Sequence, residues 1–297
     1  MTWDEFSLLP DNAEEAGLPW SGPPAVRRTS VDVDDGRMLS ALVWGTAHPE
    51  LVLIHGGAQN AHTWDTVALA LGRPLVAIDL PGHGYSSWRD DATYDPVTNS
   101  AAVATAIAAL APQADAVVGM SLGGLTAIAL TARHPELVAR LCLVDVTPGV
   151  NAEKGATIAA FVRGPESFES FDEILQRTTA FNPTRSEASL RRGILHNAVE
   201  LDDGRWAWRH HFSRGISEGR EGAIPWDNEA LWEDLSAVKV PLMLVRGSLS
   251  PVVDDADVAE VKRRQPTARV EVVEGSGHSV QGDRPLVLAG LIADFAP

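Results

Sequence analysis

The segment GMSLGG, residues 119–124, places a serine among glycines at a point where the chain changes character. The apolar run DAVV (115–118) precedes it, and LTAIALTARHPELV (125–138), typical of a helix, follows it. A sharp strand-to-helix turn exposes a serine at the carboxyl edge of a sheet, provided that its neighbours are small. We therefore predict that Ser121 is a nucleophile.

Short apolar runs alternate with helical stretches along most of the chain. Continuous apolar strands of this kind are buried on both faces, as in a parallel sheet. Strand, helix, strand repetition predicts right-handed crossovers and a doubly wound, mostly parallel α/β sheet. Two runs around DDG, residues 25–33 and 37–45, predict an antiparallel hairpin at its start. The predicted strands lie in 51–54, 74–80, 115–120, 140–146, 241–247 and 268–275, and helices in 96–111, 122–135 and 254–265.

The alternation breaks between about residues 148 and 235, where the sequence becomes helical and aromatic. This block predicts an insertion over the sheet. The length of 297 residues suits a single α/β domain, residues 1–297, that carries such an insertion.

Composition narrows the class of protein further. The net charge of -16 disfavours nucleic acid and anionic membranes as partners. An acidic N-terminus without a signal peptide predicts a cytoplasmic protein. Cys142, the single cysteine, stands in an apolar run and is predicted to be a buried small hydrophobe. No G-x-G-x-x-G, phosphate-binding loop or H-E-x-x-H occurs, so we expect no cofactor and no metal.

Two backbone amides are candidates for an oxyanion hole. The N–H of Leu122 opens the helix that follows Ser121 and points at the same spot. HGG (55–57) follows a strand, and its Gly57 is the candidate for the second donor. A plain turn is the alternative explanation of HGG.

A serine hydroxyl needs a base within hydrogen-bond reach. His278, in GSGHSV, follows the last predicted strand and so returns to the same sheet edge as Ser121. His83, in DLPGHGYS, has glycine and proline neighbours that indicate a structural loop. His278 is therefore the predicted base.

The motifs HGGAQNAHTWD, AIDLPGHGYS, VVGMSLGG and EGSGHSV occur in the order and spacing of the capped α/β-hydrolases, which the chain resembles over roughly residues 26–297. The resemblance implies an eight-stranded, mostly parallel sheet, with residues 148–235 as a helical cap between strands six and seven. It also implies a triad in the order Ser121, an acid, His278.

The acid is where the sequence departs from the commonest pattern of these hydrolases. Ser250 stands at the position after strand seven where an aspartate is usual. Asp145, at the end of strand six, is the place that some branches use, and we predict it as the acid. Asp254 and Asp255 are the alternatives, although a helix start explains them without catalysis. The acid must be buried and fix the tautomer of His278.

A serine nucleophile indicates attack on a carbonyl, whereas the dehalogenase and epoxide hydrolase branches use an aspartate. We predict a serine hydrolase that cleaves a carboxylic ester or lactone of a small to medium apolar substrate through an acyl-enzyme. Hydrolysis of a carbon–carbon bond in a diketone-like substrate is one alternative, and a ligand-binding protein with residual hydrolase activity is another.

Aromatic residues are frequent in the inserted block. Trp206 and Trp208 are predicted to line an apolar substrate pocket, although packing of the cap is the alternative for each. Trp64, in HTWD, either walls the site or fills the core beside the oxyanion loop.

Overall fold

A computed structural model describes residues 4–34, 36–211 and 226–297 of the chain. Eight of its strands form one sheet in the order β1-β2-β4-β3-β5-β6-β10-β11, and β7, β9 and β8 form a small second sheet. The strands are β1 (Val26–Asp34), β2 (Arg37–Trp44), β3 (Leu51–Ile54), β4 (Leu75–Ile78), β5 (Ala116–Met120), β6 (Leu141–Val144), β7 (Ser167–Phe168), β8 (Ala198–Glu200), β9 (Trp206–Trp208), β10 (Leu242–Gly247) and β11 (Arg269–Val273).

The large sheet confirms the predicted mostly parallel α/β architecture. Strands β1 and β2 form the predicted antiparallel hairpin, and β2 also runs antiparallel to β4. All other neighbours in this sheet pair in parallel. The six strands predicted from apolar runs all form, and the run at 51–54 has the observed bounds of β3.

Helices cover both faces of this sheet. The α-helices of the described residues are α1 (Leu9–Ala16), α2 (Asp65–Leu71), α3 (Pro96–Leu110), α4 (Leu122–Arg133), α5 (Ala156–Val162), α6 (Phe171–Phe181), α7 (Glu187–Asn197), α8 (Asn228–Ala237), α9 (Asp255–Arg264), α10 (Val280–Asp283) and α11 (Pro285–Phe295). Short 3₁₀ turns lie at Ala61–Trp64 and Pro135–Leu137.

Two of the buried clusters among the described residues pack against the large sheet, one on each side. Because strand side chains alternate, Val52 and Ile54 join the cluster under α3 and α4, whereas Leu51 and Leu53 join the cluster under α2 and α11. Cys142 lies in the second cluster, fully buried as predicted, and burial raises the pKa of its thiol to about 12.

The chain between β6 and β10 leaves the large sheet. It forms α5, α6, α7 and α8 together with the three-stranded sheet, and this small sheet was not predicted from the sequence. Strands of two or three residues carry too little periodicity to be seen in a sequence. Residues 212–225, which belong to the predicted cap of 148–235, lie outside the described residues.

Over the described ranges, no helix combines the length and apolarity that crossing a bilayer requires.

Candidate active site

Ser121 lies at the turn between β5 and α4 with φ 51° and ψ -121°, a strained backbone conformation. The glycines around it are required by close contacts. A Cβ on Gly119 would lie 2.4 Å from the carbonyl oxygen of Gly123, and one on Gly123 would lie 2.4 Å from that of Ile54. The turn therefore has the geometry that the sequence predicted, with the serine at the carboxyl end of a central strand.

Asp145 and His278 meet at this edge of the sheet. The Oδ2 atom of Asp145 lies 2.7 Å from Nδ1 of His278 and accepts a hydrogen bond from the Ser250 hydroxyl at 2.5 Å. Its Oδ1 accepts one from the Gly247 amide at 2.9 Å. Asp145 is fully buried, so the carboxylate is held by these three partners. Because Nδ1 faces a carboxylate, the proton is assigned to Nδ1, which leaves Nε2 as the basic nitrogen.

The other two acid candidates have structural partners instead. Asp254 caps α9 in a reciprocal capping box with Asp257. Asp255 pairs with Arg246 at 2.8 Å. Of the three aspartates, Asp145 alone contacts His278 among the described residues.

Ser121 and His278 line one cavity of about 500 Å³. Within the part of the chain that the structure describes, no hydrogen bond joins the two side chains. Catalytic hydrogen bonds are often long before substrate binds. The cavity also carries Gly57 and Leu122, so four predicted site residues share one space.

The backbone around Gly57 is held by neighbouring side chains. The Gly56 N–H donates to Gln59 Oε1 at 3.1 Å, and the N–H of Ala58, whose φ is 60°, donates to His83 Nε2 at 3.0 Å. The Gly57 N–H has no partner within the described ranges, and the N–H of Leu122, at the first position of α4, has no acceptor inside that helix. Both amides are thus available to an oxyanion.

Two buried histidines, His55 and His83, hold the backbone near Gly57 in place as structural residues. The Leu80 N–H donates to His55 Nε2 at 2.9 Å, so His55, like His83, accepts a backbone hydrogen bond and is neutral. Burial lowers the pKa of His55 to about 4 and that of His83 to about 3. His83 was predicted to belong to a structural loop, but its bond to the Ala58 amide beside Gly57 was not predicted.

The three tryptophans considered as substrate-binding residues lie in three different environments. Trp208 lines the cavity. Trp206 does not line the cavity. It lies on the same face of β9 as Trp208, two residues away, and packs edge-on against Phe171 with the ring centroids 5.1 Å apart. Trp64 is fully buried in the core cluster under α2, so its prediction as a substrate-binding residue is corrected. In the 3₁₀ turn, residues i and i+3 share a face, so Trp64 points inward with Ala61.

His62, Asp65 and His196 form a buried group whose potential ligand atoms lie within 4.8 Å of one another. His62 Nδ1 lies 2.9 Å from Asp65, and its Nε2 lies 3.1 Å from Glu5. Although burial opposes it, these two carboxylates raise the pKa of His62 to about 9. The rings of His62 and His196 stack at 3.8 Å. The group is better explained as an ion-pair network than as a metal site.

Residues 51–291 match the Alpha/beta hydrolase family, and the chain belongs to this family. It is therefore a hydrolase by class, as the fold and the serine turn indicate.

Esterase Rv0045c of Mycobacterium tuberculosis is 46% identical to the chain over 298 residues, which cover 97% of this chain and 94% of that protein. A solved structure of that esterase has a TM-score of 0.87 at 45% identity, covering 99% of both chains. The sn-1-specific diacylglycerol lipase ABHD11 of Xenopus laevis is 28% identical over 277 residues, covering 90% of this chain and 83% of that protein.

Proposed function

We propose that the chain is a serine hydrolase of carboxylic esters, with Ser121 as nucleophile, His278 as base and Asp145 as the acid that orients it. One observation carries the proposal. A serine at a strained turn shares a cavity with a histidine whose Nδ1 is bound, at 2.7 Å, by a fully buried carboxylate. Similarity to an esterase and to a lipase supports the choice of esters as substrates.

In the proposed mechanism, Ser121 Oγ attacks the ester carbonyl carbon while His278 Nε2 takes its proton. The N–H groups of Gly57 and Leu122 stabilise the tetrahedral oxyanion. His278 then protonates the departing alcohol, and the acyl group remains on Ser121. Water attacks this acyl-enzyme with His278 again as base, which releases the acid. Asp145 stabilises the imidazolium in both halves without accepting the proton.

The size and lining of the cavity support the proposed class of substrate. Its volume of about 500 Å³ lies in the range of small-molecule sites. The rings of Phe161 and Phe181 stack at 4.2 Å, and Trp208 lies 6.2 Å from Phe161, so one wall is aromatic. We infer an apolar acyl group or lactone as substrate, with residues 148–235 as the cap that supplies this wall. The cytoplasmic location stays a prediction.

Hydrolysis of 4-nitrophenyl butyrate tests the proposal. The wild type is expected to release 4-nitrophenol with saturation kinetics, and Ser121→Ala is expected to lose this activity while unfolding at the same temperature. Equal rates in the two proteins would contradict the assignment of the nucleophile. A stable fold with no turnover by the wild type would favour a ligand-binding protein instead.

A further inference from the structure

The cavity holds a charged side chain that the proposed ester chemistry does not use. Arg185, between α6 and α7, lines the same cavity as Ser121. Its Nη2 donates to Ser189 Oγ at 2.6 Å. Its Nε is buried without a hydrogen-bond partner, and no carboxylate among the described residues lies within 4.0 Å of the guanidinium. A guanidinium offers five donors, so most of the capacity of this group is unused.

The nearby carboxylates already have other partners. Glu15 pairs with Arg192 and accepts a hydrogen bond from Ser186. Asp283 accepts from the Gly277 amide at 2.7 Å and from the Thr184 hydroxyl at 3.3 Å. Burial lowers the pKa of the Arg185 guanidinium, against the opposing effect of Asp283 and Glu15. Since arginine stays protonated, the site keeps a cation that lacks a contacting anion.

The guanidinium lies close to the catalytic loop. A Cβ on Gly282 would lie 3.0 Å from Cζ of Arg185, so the guanidinium passes directly over the backbone of α10. This helix begins two residues after His278. The absence of a side chain at position 282 therefore gives Arg185 its place beside the segment that carries the base.

We propose that Arg185 binds a carboxylate on the substrate, and that the preferred substrates are esters whose acyl chain ends in a carboxylate. The planar fork of a guanidinium matches a carboxylate in two parallel hydrogen bonds. The aromatic wall would contact the apolar chain between the ester and the carboxylate. This inference rests on the proposed ester hydrolysis and adds the chemistry of the far end of the substrate.

The test compares kcat/KM for two series of 4-nitrophenyl esters. One series has neutral acyl chains, and the other has acyl chains of the same length that end in a carboxylate, from succinate to suberate. The readout is the ratio of the charged to the neutral ester within each protein, which cancels general losses of activity or fold. At one chain length or more, the wild type should prefer the charged ester. Arg185→Gln should lower this ratio roughly 10- to 100-fold, as for lost charge-assisted hydrogen bonds.

Two further variants sharpen the result. Arg185→Lys keeps the charge without the fork and should give an intermediate ratio. Arg191→Gln removes the same charge at a position outside the cavity lining, because Arg191 lies on α7 and pairs there with Glu187. This control variant should leave the ratio unchanged. If Arg185→Gln does not fold, competitive inhibition of the wild type by adipate and suberate replaces it. In that case adipate and suberate are expected to inhibit the wild type, and hexanediol and octanediol, which have the same lengths without the charges, are not.

The outcomes separate the two proposals. If both proteins hydrolyse the neutral esters and the charged-to-neutral ratio of kcat/KM is the same in the wild type and in Arg185→Gln, the carboxylate site is overturned but the ester hydrolase is not. No hydrolysis of either series would contradict the proposed function itself. A ratio that falls equally in Arg191→Gln would indicate a general effect of positive charge and would also overturn the assignment to Arg185.

Discussion

Replacing Asp145 by asparagine removes one charge and keeps the size of the side chain. The lost carboxylate lies 2.7 Å from His278 Nδ1, and an asparagine amide in its place favours the tautomer with the proton on the wrong nitrogen. The charge centres of carboxylate and imidazolium are about 4 Å apart, which gives about 4 kcal/mol at an effective dielectric constant of about 20. Each 1.36 kcal/mol changes a rate about tenfold, so kcat should fall roughly 1000-fold.

Ser250 makes a second, stricter version of this experiment possible. Its Oγ lies 2.5 Å from Asp145 Oδ2, so an aspartate at this position places a carboxylate beside the same edge of His278. In Asp145→Asn with Ser250→Asp, we expect kcat to recover at least about tenfold over Asp145→Asn alone. Ser250→Asp by itself should be slower than the wild type, because two adjacent carboxylates cannot both ionise.

The assay is kcat for 4-nitrophenyl butyrate at pH 8, with Ser121→Ala as the baseline and thermal unfolding as the control for the fold. An Asp145→Asn protein that folds and keeps more than about a tenth of the wild-type kcat would refute the role given to the acid. A double variant no faster than Asp145→Asn would refute the equivalence of the two positions.

Four further tests concern Ser250, two glycines and two buried histidines. Ser250→Ala removes a hydrogen bond to the buried acid and should lower kcat about tenfold, with Ser250→Thr restoring most of it; equal rates would contradict a positioning role. Gly123→Ala should destabilise the protein by more than about 2 kcal/mol in urea unfolding, because its Cβ would lie 2.4 Å from two carbonyl oxygens. Gly290→Ala, which meets nothing within 4 Å, should stabilise α11 by about 0.5–1 kcal/mol. His55 and His83 have native pKa values of about 4 and about 3, below the 6.5 of an unfolded histidine, so the unfolded chain binds more protons below pH 6.5. The free energy of unfolding should then fall by about 2 kcal/mol per histidine between pH 6.5 and pH 5, and a flat profile would contradict their buried neutral state.

Features that depend on local pattern were predictable from the sequence. Strands buried on both faces appear as unbroken apolar runs, so β3 was found with its observed bounds and β10 to within one residue. The glycines around Ser121 are required because a Cβ would meet backbone atoms, and the sequence itself shows this pattern of glycines. Helix α1 was not predicted, although Pro10 near its start and Gly17 at its end, with φ 69°, are ordinary boundary residues.

Features that depend on which elements become neighbours were not predictable. Asp145 was predicted only through the family resemblance, with Asp254 and Asp255 as alternatives. The pairing of β6 with β10, which brings Asp145 to the loop that carries Ser250, is a tertiary contact that the sequence does not reveal. The sequence marked Ser250 as a departure from the usual aspartate, but not as a donor to the acid that replaces it. The choice between the site and the core stayed open for Trp64, because its orientation depends on the phase of a short 3₁₀ turn. Arg185 belongs to no motif, and its unused donors appear only once the surrounding partners are known.

We propose that Asp145 and His278 activate Ser121 as a nucleophile. The most direct measurement is the intact mass of the purified protein after incubation with a fluorophosphonate, followed by peptide mapping of the adduct. We predict a single adduct on Ser121, formed at least about 100-fold more slowly in Asp145→Asn and absent in Ser121→Ala. A folded protein that gains no adduct, or gains it on another residue, would contradict the claim.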